Sequence, residues 1–382
     1  MFARSLFGAV LFLTRVIYMN QMDELRSRIE KIDSEMIDLF EQRMQISAKV
    51  AAYKKENGIP VLDKEREKIL IEKNTAKLKN REFDVYYRDF FEGMLNVSKS
   101  YQHKLMEGVK VAYSGIEGSF ASISAERILP DAKRISYGSF GEAYDAVCAG
   151  ECDFAVLPIE NSYAGEVGAV TDLMFKGNLH VNGVYELGVS QCLLGIKDST
   201  LESIKTVVSH PQALDQCSEY IKRHGIKSIS AENTAVAAKE IAEKNDITVG
   251  AIASKEAAKL YGLTILDYDI NESAQNTTRF AVFSRNAGVL KNNKVSSAFI
   301  LMFTVKNEAG SLADAIAILG KHGYNMKVIR SRPSKNENWQ YYFYTEVEGN
   351  IDTEEGNKML KDLEKECNMI KVIGTYIEDM KI

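Results

Sequence analysis

The stretch Glu107-Gly108-Val109-Lys110-Val111-Ala112-Tyr113-Ser114-Gly115 divides the chain into two textures. After Gly108 a short β-branched run appears, and the segment through Gly118-Ser119-Phe120 reads as a strand, a glycine loop and a helix start. The alternation recurs downstream, with strands at 154–157, 206–209 and 248–252 between helical stretches. It predicts α/β units around largely parallel sheets, as far as about Ser284. Upstream, residues 22 to about 105 read as helix. Leu25, Ile29, Ile32, Met36, Leu39, Ile46, Val50 and Tyr53 recur in steps of four and three, a bundle seam. Gly58-Ile59-Pro60 breaks that helix, Asp63 is placed to cap a second, and a third runs from about Phe83 to Leu105. Three helices make a poor core alone, so a homodimer or higher homo-oligomer is expected.

The far end is a compact module. Strands at 297–305, 326–331, 340–348 and 370–376, with helices at 311–322 and 353–366, give the ferredoxin-like order β-α-β-β-α-β. Residues 286–294 read as a linker. Residues 1–21 stand apart: Phe2 to Tyr18 is apolar, carries Arg4 and Arg15 and holds no acid. The uncharged run 5–14 would span about 15 Å as a helix, half a bilayer. The segment reads as a translation start placed early, with Met19 or Met22 the natural start, or as an export leader.

The 382 residues suit two to three domains. Apolar residues at 45 % and charged ones at 26 % exclude disorder and collagen-like repeats. A net charge of -5 gives no nucleic-acid footprint. Cys148, Cys152, Cys192, Cys217 and Cys367 form an odd, scattered set, which fits a reducing, cytoplasmic setting. No Cys or His cluster has zinc-ligand spacing, so no metal is expected. No two glycines are spaced G-x-G, which counts against a nicotinamide site and hence against a dehydrogenase.

The helical seam has one misfit. Arg43 falls between Leu39 and Ile46, where a guanidinium is expensive unless paired. Arg26 and Lys54 lie beside the same stripe, Arg66 and Glu67 on the second helix. Ser98 and Gln102 share a face of the third. The set reads as a site for a small polyanion, or as solvated charges and inter-helix pairs. Together with Asp63, these residues resemble the all-helical chorismate mutase family over residues 22–105. In that resemblance two protomers interlock, Arg26 reaching the partner's site. Arg43 then grips substrate carboxylates, Lys54 and Gln102 face the ether oxygen, and Glu67 and Asp63 the ring hydroxyl and its surroundings.

Three polar segments mark the α/β region: Pro158-Ile159-Glu160-Asn161-Ser162, Ser209-His210-Pro211-Gln212 with Gln216, and Asn276-Thr277-Thr278-Arg279-Phe280. They read as loops at strand ends around an open cleft. They resemble prephenate dehydratase over residues 109–285, which implies two lobes around a cleft and loss of water and carbon dioxide from prephenate. Thr278 would act on the leaving hydroxyl. Arg279 would hold a carboxylate or shape the loop, and Glu160, Asn161, Ser209 and Gln216 would contact substrate. His210 reads as a base or as a structural turn residue. Residues 296–376 resemble an ACT domain. Asn307, Ala309, Gly310, Ser311 and Leu312 match its effector loop, and Arg330-Ser331-Arg332-Pro333 matches a Glu-Ser-Arg-Pro motif with the first charge reversed. The implied effector is phenylalanine.

In this order the three resemblances imply a bifunctional chorismate mutase/prephenate dehydratase of phenylalanine biosynthesis, without cofactor, metal, membrane or nucleic-acid partner. The alternative is a mutase fused to a non-catalytic sensor of aromatic acids.

Overall fold

The computed structural model describes residues 2–273, 275–290, 297–334, 341–378 and 380–382, and for residues 2–20 the backbone alone. The reading of residues 1–21 rests on side chains outside these, as does part of the 286–294 linker. The chain forms two compact units, Met1–Gly108 and Val109–Ile382.

The first unit holds α1 (Phe2–Glu56), α2 (Lys64–Thr75) and α3 (Asp84–Glu107). Asp63 caps α2, accepting the Arg66 backbone N–H at 3.0 Å. The apolar seam is not buried in this chain: Leu25, Ile29, Ile32, Met36, Leu39, Ile46, Val50 and Tyr53 all stand exposed. The reason is geometric. The covered face of α1 carries Arg43, Ser47, Ala51 and Lys54, a neighbouring helical stripe, and Ser47 and Ala51 on it are buried.

The second unit begins with a lobe built from β1 (Lys110–Ser114), α4 (Phe120–Ile128), β2 (Lys133–Tyr137), α5 (Phe140–Cys148), β3 (Phe154–Asn161), β4 (Gly165–Glu166), α6 (Gly168–Lys176) and β5 (His180–Gly188). The chain then crosses to a second sheet. Its elements are β6 (Cys192–Gly195), β7 (Thr206–Ser209), α7 (Pro211–Gln216), α8 (Ser218–Arg223), β8 (Lys227–Ser230), α9 (Thr234–Lys244), β9 (Val249–Ala253), α10 (Lys255–Tyr261) and β10 (Thr264–Asp267). It returns on β11 (Thr277–Ser284), which enters antiparallel between β3 and β5. Both sheets are therefore mixed rather than largely parallel. Parallel pairs β1–β2, β1–β3, β7–β8 and β7–β9 are joined by antiparallel ones.

Two expected loops are strand. Glu160-Asn161 ends β3 and Thr277–Phe280 starts β11, held by their pairing. Pro158 is tolerated inside β3 because the register shifts between Arg279 and Phe280, with Ile159 the extra residue of a bulge beside it.

The last module follows the expected order: β12 (Ala298–Val305), α11 (Ser311–Lys321), β13 (Asn325–Pro333), β14 (Tyr341–Glu348), α12 (Glu354–Glu366) and β15 (Cys367–Tyr376). Its sheet runs β13-β14-β12-β15 and continues into β5 through a single parallel pair, Gly374 with Val181. Only glycine allows that approach, since a Cβ at 374 would collide with the Val181 carbonyl oxygen.

His322, at the end of α11, bridges to α12. Its Nδ1 meets Glu355 at 2.6 Å and its Nε2 meets Asp362 at 3.0 Å. Both nitrogens face carboxylates, so the imidazolium is the form that satisfies them. Glu355 first, then Asp362, raises the His322 pKa. Lys365, ahead of His322, pushes the Asp362 carboxyl down to about 2. A raised folded pKa stabilises below the unfolded value of about 6.5 and is lost as pH rises through the folded one. His322→Gln should therefore lower the thermal midpoint of this module more at pH 6 than at pH 9. A loss independent of pH would refute the charged clamp.

Candidate active sites

Helices α1, α2 and α3 enclose a cleft of about 830 Å³. From α1 it receives Arg43, Ser47 and Lys54, from the start of α2 Asp63, Arg66 and Glu67, and from α3 Ser98, Lys99 and Gln102. Arg43 is half-buried, and its Nη1 is fully buried with no hydrogen-bond partner. Burial lowers its pKa, yet a guanidinium stays charged in proteins. The Gln102 Oε1 is buried and unpartnered too. Lys54 Nζ donates to the Val61 carbonyl at 2.8 Å, and Lys99 Nζ to Glu67 at 2.8 Å. Arg26 is absent from this cleft. It lies about 25 Å back along α1 at 1.5 Å per residue. There it is exposed and pairs with Asp23 at 3.5 Å.

Ser47 and Lys99 were not legible as site residues. Ser47 sits one turn after Arg43 and Lys99 beside Ser98, so helical spacing from the singled-out residues was the available signal.

A second cleft of about 340 Å³ opens between the two lobes of the larger unit. Thr278, Phe280, Asn161, His210, Gln212 and Gln216 line it. Asn161 is its hub. Its Nδ2 donates to Thr278 Oγ1 at 2.9 Å and to Asn276 Oδ1 at 3.1 Å. Its Oδ1 accepts the Tyr163 and Ala164 amides and, from the other lobe, Gln212 Nε2 at 3.0 Å. Gln216 Oε1 accepts from Asn276 Nδ2 at 2.9 Å. His210 caps α7: its Nδ1 accepts the Gln212 amide at 3.2 Å. Burial lowers its pKa. The ring is thus neutral near pH 7, with its remaining proton on Nε2 and Nδ1 already engaged.

Among the described lining residues of this cleft there is no Lys or Arg. One carboxylate, Glu232, is on the lining, and the opposing positive potential comes from helix starts. Ser119 caps α4 and Asn233 caps α9, and both residues, with Phe140 at the head of α5, face the cleft. Each such end carries about half a positive charge.

Family models match the chain in three consecutive stretches: chorismate mutase type II over residues 25–103, prephenate dehydratase over 111–288 and the ACT domain over 299–365. The chain is 32 % identical over 372 residues to the bifunctional chorismate mutase/prephenate dehydratase of Buchnera aphidicola subsp. Schizaphis graminum (strain Sg), covering 94 % of this chain and 96 % of that one. The chain belongs to the bifunctional chorismate mutase/prephenate dehydratase family. Among solved structures, the prephenate dehydratase of Arthrobacter aurescens in complex with L-Phe is 25 % identical with a TM-score of 0.66, covering 71 % of this chain and 90 % of that one. GqqA, described as a novel type of quorum quenching acylase, is 29 % identical with a TM-score of 0.65, covering 70 % of this chain and 97 % of that one.

Three residues expected at the dehydratase cleft stand elsewhere. Ser209 is wholly buried and donates its hydroxyl to the Ile252 carbonyl at 2.6 Å, tying β7 to β9. Arg279 follows Thr278 on a strand, so it points to the opposite face. There it grips Glu346 of β14 with two bonds, 2.9 and 2.7 Å, and Glu160 at 3.0 Å. Glu160 also lies on that back face, where its other oxygen pairs with Arg330 of β13. Arg330 lies over the Tyr344 ring at 5.7 Å. The reversed charge of the motif is thus engaged by the dehydratase domain. Arg332, two residues on, does the same with Asp172 at 3.1 Å.

Of the other ACT residues, Gly310 has φ +95 and starts α11 without a side-chain cap. Asn307 and Ala309 are exposed beside it, Ser311 and Leu312 half-buried. Ser331 is exposed on the face of β13 opposite Arg330.

Burial disfavours the charge on both Arg279 and Glu346, and their bidentate contact outweighs it, raising the first pKa and lowering the second. Arg279→Leu should leave Glu346 buried and unpaired and destabilise the larger unit by about 3–5 kcal/mol. Arg279→Lys should recover little of that, since one ammonium cannot make the paired contact. Thermal unfolding checks it. A stable Arg279→Leu variant with a raised KM for prephenate would return Arg279 to the substrate.

Proposed function

We propose that the helical cleft converts chorismate to prephenate and the interlobe cleft converts prephenate to phenylpyruvate, with phenylalanine acting through the ACT domain, in a cytoplasmic homodimer or higher homo-oligomer. The observation that carries the first step is Arg43, a buried cation whose Nη1 has no protein partner. A buried donor left unmade is costly, and a carboxylate of a dianionic ligand satisfies it.

The mutase reaction is an intramolecular rearrangement that needs no nucleophile and no proton transfer. The cleft must hold a compact conformer and meet charge that builds on the breaking C–O bond. A cation 4 Å from a unit charge contributes about 4 kcal/mol at an effective dielectric near 20, before desolvation. Lys54 and Gln102 serve the ether oxygen, Arg43, Arg66 and Ser98 the carboxylates, and Asp63 and Glu67 the ring hydroxyl and its surroundings. Arg26 serves the partner's cleft. Exposure of the whole α1 seam supports that second copy.

In the dehydratase step the bond from the ring to its carboxylate breaks and its electron pair enters the ring. The ring C–O bond breaks in turn, and the hydroxyl leaves as water after taking a proton that solvent water supplies through the Thr278 hydroxyl, which ends the step protonated. Asn161 donates to Thr278 Oγ1, which leaves the Thr278 proton for the departing hydroxyl and polarises it. Asn161, Gln216 and the helix starts hold the substrate.

Incubating the purified chain with chorismate and no cofactor should yield phenylpyruvate. Accumulated prephenate would instead support the sensor alternative for the second domain. Thr278→Ala should abolish dehydration and leave prephenate formation intact; undiminished phenylpyruvate would remove Thr278 from the mechanism. Titrated phenylalanine should depress the dehydratase rate. A flat response would remove the effector role.

A further inference from the structure

Ser47 is a buried hydroxyl on the cleft wall that the roles above leave unused. Its Oγ lies 2.5 Å from Ser98 Oγ and accepts Gln102 Nε2 at 3.1 Å. All three side chains are at least nine-tenths buried, and the far end of the Gln102 carboxamide, Oε1, has no partner. We propose that Ser47 is a positioning residue of the mutase, whose hydroxyl anchors the Gln102 carboxamide in either orientation, so that its donor end can be turned to the substrate. The inference rests on the mutase reading of this cleft and deepens it.

The argument is an inventory of donors and acceptors. Chorismate brings two carboxylates, an ether oxygen and one hydroxyl, so its groups are mostly acceptors. With its N–H turned toward Ser47, Gln102 leaves an acceptor at its far end. An acceptor there opposes an acceptor-rich ligand. Rotating the amide by half a turn exchanges the two ends: Nε2 then supplies donors at the far end, and Oε1 faces Ser47. That arrangement is satisfied only if the neighbour can donate. Ser47 can, because a hydroxyl both donates and accepts, and Ser98 can then donate to Ser47 in its place. The chain of bonds reverses direction without moving a heavy atom of either serine. An alanine at 47 supports neither orientation and leaves a buried carboxamide with no fixed partner.

The test uses the full-length chain, whose dehydratase activity on supplied prephenate reports folding independently of the mutase cleft. Ser47→Ala should lower mutase kcat by about tenfold with a smaller change in KM, the size of one lost oriented hydrogen bond at a reacting centre. Ser47→Thr, which keeps the hydroxyl, should restore most of it. In a Gln102→Ala background, Ser47→Ala should cost nothing further, because Ser47 acts through that amide. Wild-type kcat in Ser47→Ala, or an undiminished effect of Ser47→Ala on top of Gln102→Ala, overturns the proposal. If the unmodified chain fails to consume chorismate, the mutase reading itself has failed.

Discussion

Thr278 and Arg279 are neighbours on one strand, and the larger unit is organised around the consequence. Side chains of consecutive strand residues face opposite ways, so a hydroxyl presented to the cleft puts a guanidinium on the back of the sheet. Arg279 there is only 20 % exposed, and an unpaired charge at that depth is not tolerated. Glu346, from a different domain, supplies the counter-charge, and Tyr344 and Tyr376 complete its oxygens at 2.8 and 2.6 Å. The strand that carries Thr278 is therefore tied to the ACT module through Arg279 and Glu346. Arg330 extends the dependence to Glu160, the residue before the Asn161 that holds Thr278. Between β13–β14 and the cleft lie two strands and one ion-pair cluster.

The helical unit follows a different logic. One face of α1 is used to line a polar cleft, and that face is the one α2 and α3 cover. The neighbouring stripe keeps its large apolar residues in water, with Leu39 64 % and Tyr53 62 % exposed. A helix whose greasiest residues face solvent is half of an interface. In the proposed homo-oligomer a second copy of the same stripe buries both and brings its Arg26 to a cleft that has none of its own.

Periodicity made the large features legible. The break at 58–60, the Asp63 cap, the change of texture at Gly108 and the β-α-β-β-α-β module are local signals, set by backbone preferences within a few residues. What was not legible depends on tertiary pairing. Whether Glu160 and Arg279 face a cleft or another domain is decided by the bulge at Ile159 and by the return of β11 between β3 and β5, long-range facts with no local mark. Ser209 read as a cleft residue because it belongs to the polar segment 209–212 at a strand end. The strand turns it inward. Arg330 read as an effector-site residue with its charge reversed, and only the position of Glu160 shows what the positive charge pairs with. Ser47 gave no sign because a serine inside a helix is ordinary until its neighbours across the cleft are known.

The two clefts treat a doubly charged ligand in opposite ways, and the difference follows from the reactions. In the mutase the carboxylates survive. Full cations can bind them tightly without opposing the chemistry, so Arg43 and Arg66 sit on the wall of the cleft. In the dehydratase one carboxylate must give up its electrons to the ring and leave as carbon dioxide. A guanidinium paired to that group would hold its charge in place and stabilise the ground state more than the transition state, which slows the step. Helix starts at Ser119, Phe140 and Asn233 supply a weaker, fixed field from backbone dipoles. In the proposed step that field, partly offset by the Glu232 carboxylate on the same lining, holds a dianion more weakly than a guanidinium would. Arg279 of this domain and Arg330 of the ACT module meet behind the sheet, where Glu160 and Glu346 neutralise them, away from the cleft.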